Sequence, residues 1–179
     1  MTELPRIATA RLALRAPAAT DRPAATDRPA AAWIAACPAA HEQGEALALA
    51  IERISDGALL GAIWLEVAPQ QPCAKLGYWI DTPYRRRGYA TEAASAVVAF
   101  GFETLGLERI WAPCVRGDAA AARLLEKVGF AHEGSRRLYA VERARAETIE
   151  QHGCLRWEYF ARVARCGFAS AASAPPADA

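Results

Sequence analysis

The sequence predicts a mixed α/β domain, and three observations carry that reading. Apolar residues alternate with period two over 45–54, 59–67 and 73–81. They recur at helical spacing over 89–105 and 119–128. Turn and stop residues punctuate the boundaries, with Ser55-Asp56-Gly57 between two strands and Gly106 and Gly129 after the helices. The chain has 179 residues, and domains run to roughly 150 residues each. One domain over 1–168 is therefore expected, with an Ala/Ser/Pro-rich tail at 169–179 expected to be disordered.

The elements follow in order. Residues 6–15 end with Leu12 and Leu14 on one face and Arg11 and Arg15 on the other, and read as an opening strand. The hexapeptide Ala-Thr-Asp-Arg-Pro-Ala stands twice in tandem at 19–24 and 25–30. That unit is too short for a solenoid and reads as a duplication in a loop or in short helical turns. A short helix around Trp33 and Ile34 is expected next. The strands 45–54 and 59–67 form a hairpin, and strand 73–81 follows after a loop. A helix over 89–105 comes next, then a short strand over 109–115. Pro113 in that strand removes a ladder donor, so normal pairing should stop near it. Asp118 is a good helix cap for 119–128. Two final strands are expected over 130–141 and 155–163, with the charged segment 142–152 left open between them.

Composition excludes several function classes. Lys+Arg is 21 and Asp+Glu is 20, a net charge of +1, which argues against bulk nucleic-acid or membrane-surface binding. Hydrophobic content is 53%, although alanine inflates it and the implied core is modest. No apolar run is long enough for a transmembrane helix, and the first residues lack the basic-then-apolar order of a secretion signal. Cys37, Cys73, Cys114, Cys154 and Cys166 are odd in number and form no CxxC, as expected of reduced thiols in the cytoplasm. His41, His132 and His152 show no metal-binding spacing, so no metal is expected. The phosphate loop GxxxxGK[ST] is absent.

The informative stretch is Arg85-Arg86-Arg87-Gly88-Tyr89-Ala90, placed where a strand hands over to a helix. The first amides of a helix have no internal partner, and the helix dipole adds partial positive charge there. Gly88 lets backbone approach a ligand closely, Ala90 is small, and Arg side chains ring the same point. The product is a cradle for a polyanion, best matched by a diphosphate. A bare basic triplet would be a solvated turn; the strand before, the helix after and the small residues at fixed offsets argue against that here.

These residues resemble the GNAT acetyltransferase superfamily. Arg85, Gly88 and Ala90 match its [QR]xxGx[GA] motif, and the wider text from Leu76-Gly77-Tyr78-Trp79-Ile80 to Thr91-Glu92-Ala93 looks like the branch that acetylates N-terminal amines of ribosomal proteins. Arg11–Arg15, Arg123–Phe130 and Glu133-Gly134 resemble further segments of that branch in the same order, so the likeness runs over 6–163. The resemblance implies a mostly antiparallel sheet with a splayed central strand pair and flanking helices. It also implies acetyl-CoA as cosubstrate, with no metal. The pantetheine would lie in a V-shaped gap between strands 74–80 and 109–115. Expected contacts are Tyr78, Trp79 and Ile80 along the strand, Arg85, Arg86, Arg87, Gly88, Tyr89, Ala90 and Thr91 around the diphosphate, and Asp118 at the next helix. The acceptor would be a protein N-terminus or a small-molecule amine, and such proteins often pair as homodimers.

The sequence departs from that family where the general acid usually stands. The Asn, Ser and Tyr positions of the second helix hold Asp118, Ala121 and Leu125, and a strand position that is commonly Glu holds Lys75. A positioned acid or base supplies about 10²–10⁴-fold, whereas holding the reactants together supplies about 7–11 kcal/mol. Turnover carried by proximity is therefore chemically sound. Three replacement catalysts are candidates. Glu66 could order a water as base or be an exposed strand carboxylate. Asp118 could contact the thiol side or simply cap its helix. Tyr139 could donate a proton or be a packing aromatic. Cys114 reads as a buried small hydrophobe, since no His or cationic partner is placed beside it by sequence. Rival readings are a GNAT-like acyl-CoA-binding module with little turnover, and a basic nucleic-acid-binding domain using Arg85–Arg87 and Arg136–Arg137.

Overall fold

A computed structural model describes residues 4–18, 21, 46–68, 70–140 and 145–166. Among these described residues are eight strands: β1 (Ile7–Ala8), β2 (Leu12–Arg15), β3 (Ala46–Arg53), β4 (Leu59–Val67), β5 (Cys73–Ile80), β6 (Arg109–Val115), β7 (Ala131–Ala140) and β8 (Arg145–Leu155). Three α-helices accompany them: α1 (Tyr89–Glu103), α2 (Ala119–Val128) and α3 (Arg156–Cys166). The strands form one open sheet in the order β1-β2-β3-β4-β5-β6-β8-β7. Every neighbouring pair is antiparallel except β5–β6. A parallel pair needs a crossover, and α1 supplies it.

The β5–β6 pair positions the site. It pairs only at Cys73↔Arg109, Ala74↔Ile110 and Lys75↔Trp111. Beyond Lys75, β5 runs on to Ile80 beside β4, and beyond Trp111, β6 runs on to Val115 beside β8. The two strands thus part in the middle of the sheet; β6 leaves β5 two residues before Pro113, while its pairing with β8 runs unbroken through Pro113↔Gln151, so the loss of pairing expected at Pro113 holds on the β5 side only.

The core lies between the sheet and the helices. Ile63 and Leu65 of β4, Leu76 of β5 and Ile110 of β6 meet Ala93, Ala94, Val97, Val98 and Phe102 of α1, all at most 2% exposed. Gly101 lets α1 come this close, because a Cβ there would stand 2.8 Å from Ile110 Cδ1 and 3.2 Å from Leu65 Cδ1. Leu124, Leu125, Val128 and Phe130 extend the same core under α2.

Three expectations are corrected. Residues 6–15 are not one strand but a tight hairpin, closed by the Thr9 amide donating to Leu12 O at 2.8 Å. The open segment 142–152 belongs largely to β8, which lies between β6 and β7. Residues 155–163 are not a strand: β8 ends at Leu155 and α3 begins at Arg156. Leu155, Trp157, Tyr159 and Val163 alternate like a strand, yet Leu155, Tyr159 and Val163 also stand four apart, which is helical spacing. Tertiary contacts decide for the helix. Glu158 accepts the Leu155 amide at 2.8 Å, and Tyr159 donates its hydroxyl to Glu103 at 2.6 Å while its ring meets Phe102 at 5.2 Å. The expected turns or helix over 19–36, apart from Asp21, and the tail at 169–179 lie outside the described residues.

Candidate active site

Two helix N-termini face the parted strands, and they differ in how their amides are used. At the first, Thr82–Tyr84 forms a single 3-10 turn after β5, and Arg85 through Gly88 leads into α1. Arg86 and Gly88 both have left-handed backbone, φ 62° and 82°. Gly88 is the N-cap of α1 and offers no side-chain cap; the first helical bond is Glu92 N–H to Gly88 O at 3.0 Å. The amides of Tyr89, Ala90 and Thr91 therefore have no intrahelical acceptor and point out of the helix end. Arg85, Arg86, Arg87 and Gly88 are exposed around this point, while Tyr89 is buried. Arg85 is held in place by its Nε donating to Ile80 O at 2.8 Å.

A residue outside the motif completes this corner. Arg11, in the β1–β2 turn, donates from Nη1 to Arg87 O at 3.1 Å and pairs through Nε with Glu92 at 2.7 Å. Its guanidinium lies 4.7 Å above the Tyr89 ring, and its Nη2 would stand 3.4 Å from a Cβ built on Gly88. Burial pushes the Glu92 carboxyl up, but hydrogen bonds from Thr9 and Arg11 outweigh it and hold the group below the usual carboxylate range. The sequence pattern places Arg11 only on the outward face of a strand. No local pattern links it to Gly88, 77 positions later.

The second N-terminus is closed by its own side chain: Asp118 Oδ1 accepts the Ala121 amide at 3.0 Å. Its carboxylate still acts at a distance, since its charge bears on Tyr78 of β5 and on Cys114 of β6. Burial, then Asp118 and Cys114, pushes the Tyr78 hydroxyl up to about 12. Burial, then Asp118 and Glu150, pushes the Cys114 thiol up. Tyr78, Asp118 and Cys114 thus stand around the open end of the gap, one on each wall and one on the helix beyond.

His152 stands beside Cys114, with Nδ1 3.8 Å from Sγ, and is 3% exposed. Burial, then the neighbouring His132, holds His152 below its ordinary value. With the thiol pushed up and the imidazole pushed down, the pair is a neutral thiol against a neutral ring rather than a thiolate–imidazolium. Their proximity comes from the register Ala112↔His152 across β6–β8, which the sequence does not display. Outward from it, Glu150 gathers Arg116 Nε at 2.6 Å, His132 Nε2 at 2.7 Å and the Ser135 hydroxyl. Those three donors hold the Glu150 carboxyl at about 2.

The remaining sequence candidates fall elsewhere. Glu66 pairs with Lys75 Nζ at 2.9 Å and accepts from Trp64 Nε1 at 3.0 Å. It lies on the face away from α1, at the joined end of β5–β6 rather than the open one. The same face explains the glycine in Leu76-Gly77-Tyr78: a Cβ on Gly77 would meet the Trp64 indole at 2.3 Å. Trp79 also stands on that face, in a shallow depression with Pro17, Asp21, Leu59 and Ala62, so Tyr78 and Trp79 take opposite sides of β5. Ile80 is buried in the core beside the Arg85 turn. Tyr139 lies in β7 opposite Ala146, and its side chain is outside the described residues. Ala121 is partly exposed and Leu125 is buried at 1%, and α2 carries no hydroxyl at any position. Among the described residues no cluster of His, Cys, Asp and Glu could hold a metal, and no helix is long and apolar enough to cross a membrane.

Residues 8–131 match the family model for the acetyltransferase (GNAT) domain. The Bacillus subtilis (strain 168) protein named uncharacterized N-acetyltransferase YoaA is 37% identical over 102 residues, which is 56% of this chain and 58% of that relative's own length. Among solved structures, a ribosomal-protein-S5-alanine acetyltransferase from Vibrio fischeri superposes with a TM-score of 0.69 at 15% identity, covering 84% of this chain and 96% of that one. A spermidine/spermine N-acetyltransferase SpeG from Vibrio cholerae superposes at 0.65 and 18% identity, covering 73% and 77%. The shared fold therefore spans proteins named for very different acceptors.

Proposed function

Because this chain belongs to the GNAT acetyltransferase family, we propose that it transfers an acetyl group from acetyl-CoA to an amine, and that the amine is a peptide α-amine. One observation carries the reading: a parallel strand pair that parts after Lys75 and Trp111 opens toward a helix end with unpartnered amides. Acetyl-CoA suits both features, because its diphosphate needs donors and its slender arm needs a slot. The donors are the backbone amides from Arg86 to Thr91, with Arg85, Arg86 and Arg87 around them. Each such amide-to-phosphate bond contributes about 1.5–3 kcal/mol, so four or five anchor the cosubstrate. The edge of β5 from Leu76 to Ile80, where β6 has parted from it, is free to bond the arm and to polarise the thioester carbonyl.

The chemistry is direct attack within a ternary complex. The amine nitrogen bonds to the carbonyl carbon, the carbon–sulfur bond breaks, and the electron pair leaves on sulfur. The nitrogen must arrive neutral. An α-amine, with a pKa of about 7.7–8.0, is appreciably neutral near pH 7, whereas a lysine amine at about 10.4 is not. The described gap holds no carboxylate free to act as a strong base: Glu66 is paired with Lys75 on the far face, and Asp118 caps α2. That favours the amine that needs the least help. A second reading, an acyl-CoA-binding module with little turnover, draws on one feature, the absence of a hydroxyl from α2.

Calorimetry with acetyl-CoA, followed by thiol release with an amine panel, tests both readings. A peptide with a free α-amine and no lysine should outpace an N-blocked peptide bearing lysine by at least about 10-fold. Lysine preference overturns the acceptor, binding without thiol release favours the module, and no binding removes both.

A further inference from the structure

We infer that the Tyr78 hydroxyl is a hydrogen-bond donor to the departing coenzyme A sulfur, a role for which α2 offers no hydroxyl. This rests on the acetyltransferase reading above. Three features of the structure meet at Tyr78. It is the third residue past Lys75, where the pairing of β5 with β6 ends, so it stands on the gap wall rather than inside a continuous sheet. It points to the helix-covered side, as do Leu76 and Ile80 in the same strand, and it packs partly against the core. Cys114 stands on the facing wall past Trp111 and Asp118 heads the helix that follows it, and the charges of both bear on the Tyr78 hydroxyl.

The chemistry sets what this hydroxyl can do. Burial and the Asp118 charge push it up to about 12, while a thiol sits near 8.5. Full proton transfer from Tyr78 to the thiolate is therefore uphill by more than a thousandfold, roughly 3.5 pKa units. Tyr78 keeps its proton and stabilises the charge that develops on sulfur. The amine proton leaves to water, and the thiolate is protonated by water on release. The other protic groups nearby suit the role less. The Cys114 thiol is a weak donor, and His152 lies behind it, almost fully buried.

Tyr78→Phe keeps the ring and removes only the hydroxyl. With the best amine of the panel, kcat should fall about 10–100-fold, the usual worth of a hydrogen bond to a charged group. KM for acetyl-CoA and the melting temperature should stay close to those of the unaltered protein. Unchanged kcat, or a loss confined to KM, overturns the inference. A second measurement needs no variant. The thiol of bound coenzyme A, titrated by thiolate absorbance, should ionise at least one pH unit below that of free coenzyme A. Ionisation at or above the free value overturns the inference. If the unaltered protein binds coenzyme A but releases no thiol with any amine, the acetyltransferase reading fails, while the titration still reports whether Tyr78 touches sulfur.

Discussion

The N-terminus of α1 and the N-terminus of α2 open onto the same gap with opposite chemistry. α1 is capped by a glycine in left-handed conformation, with three unbonded amides and an arginine-rich turn. α2 is capped by Asp118, whose carboxylate takes the Ala121 amide for itself. Both helices have the same dipole. One leaves its positive end open to an external anion, and the other neutralises it internally. A cap is thus also a choice of ligand: a helix that spends its donors on its own side chain is poorly suited to hold a phosphate. The contrast sets the polarity of the gap, with unbonded amides and arginines at one end and an intact carboxylate bearing on Tyr78 and Cys114 at the other.

The largest expected effect falls on the open end. Gly88→Val forces a β-branched residue into left-handed backbone and brings a side chain against Arg11 and into the cradle. Acetyl-CoA affinity should drop at least about 100-fold by calorimetry, with circular dichroism unchanged. Affinity within a factor of three of the unaltered protein would show that the amides of α1 are not the anchor.

A smaller effect is expected at the closed end. Asp118→Ala removes the cap and should cost about 1 kcal/mol, or roughly 2–4 °C in melting temperature. Asp118→Asn should keep most of it, because the amide oxygen can still accept the Ala121 N–H. Acetyl-CoA affinity should move little in either variant. A loss of affinity as large as that from Gly88→Val would erase the distinction between the two corners.

The smallest effect concerns the clasp that ties Arg11 to α1. Glu92 is held below its unfolded value by Thr9 and Arg11 despite its burial. Its contribution is therefore complete above the unfolded value of about 4.3 and is lost as pH falls through the lower folded value. Melting curves of the unaltered protein and Glu92→Gln should be separated at pH 7 and converge below about pH 4. A gap that widens on acidification would contradict this sign.

Elements whose instructions are local are legible in the amino-acid order alone. β4, β6 and α2 have the residue limits expected from alternation, from the Asp118 cap and from the Gly129 stop, where φ is 103°. The Arg85–Ala90 corner is legible for the same reason, since a strand, a glycine and a helix start stand side by side in the chain. Residues 155–163 mislead because Leu155, Trp157 and Tyr159 alternate like a strand while Leu155, Tyr159 and Val163 stand four apart like a helix, and only the contacts of Tyr159 with Glu103 and Phe102 break the tie. β8 is illegible because its charged residues look like a loop until Arg116, His132 and Ser135 gather on Glu150.

By itself, then, the chain determined the order of its central strands and helices, the limits of β4, β6 and α2, and the strand–glycine–helix corner at Arg85–Ala90. Each of these follows from backbone conformation and hydrogen-bond capacity within a few residues. Only the tertiary structure decided that Arg11 steadies Gly88, that His152 lies behind Cys114, and that Tyr78 rather than Trp79 faces Asp118. Those depend on strand register and on which sheet face a side chain takes, and a shift of one residue would reverse every one of them.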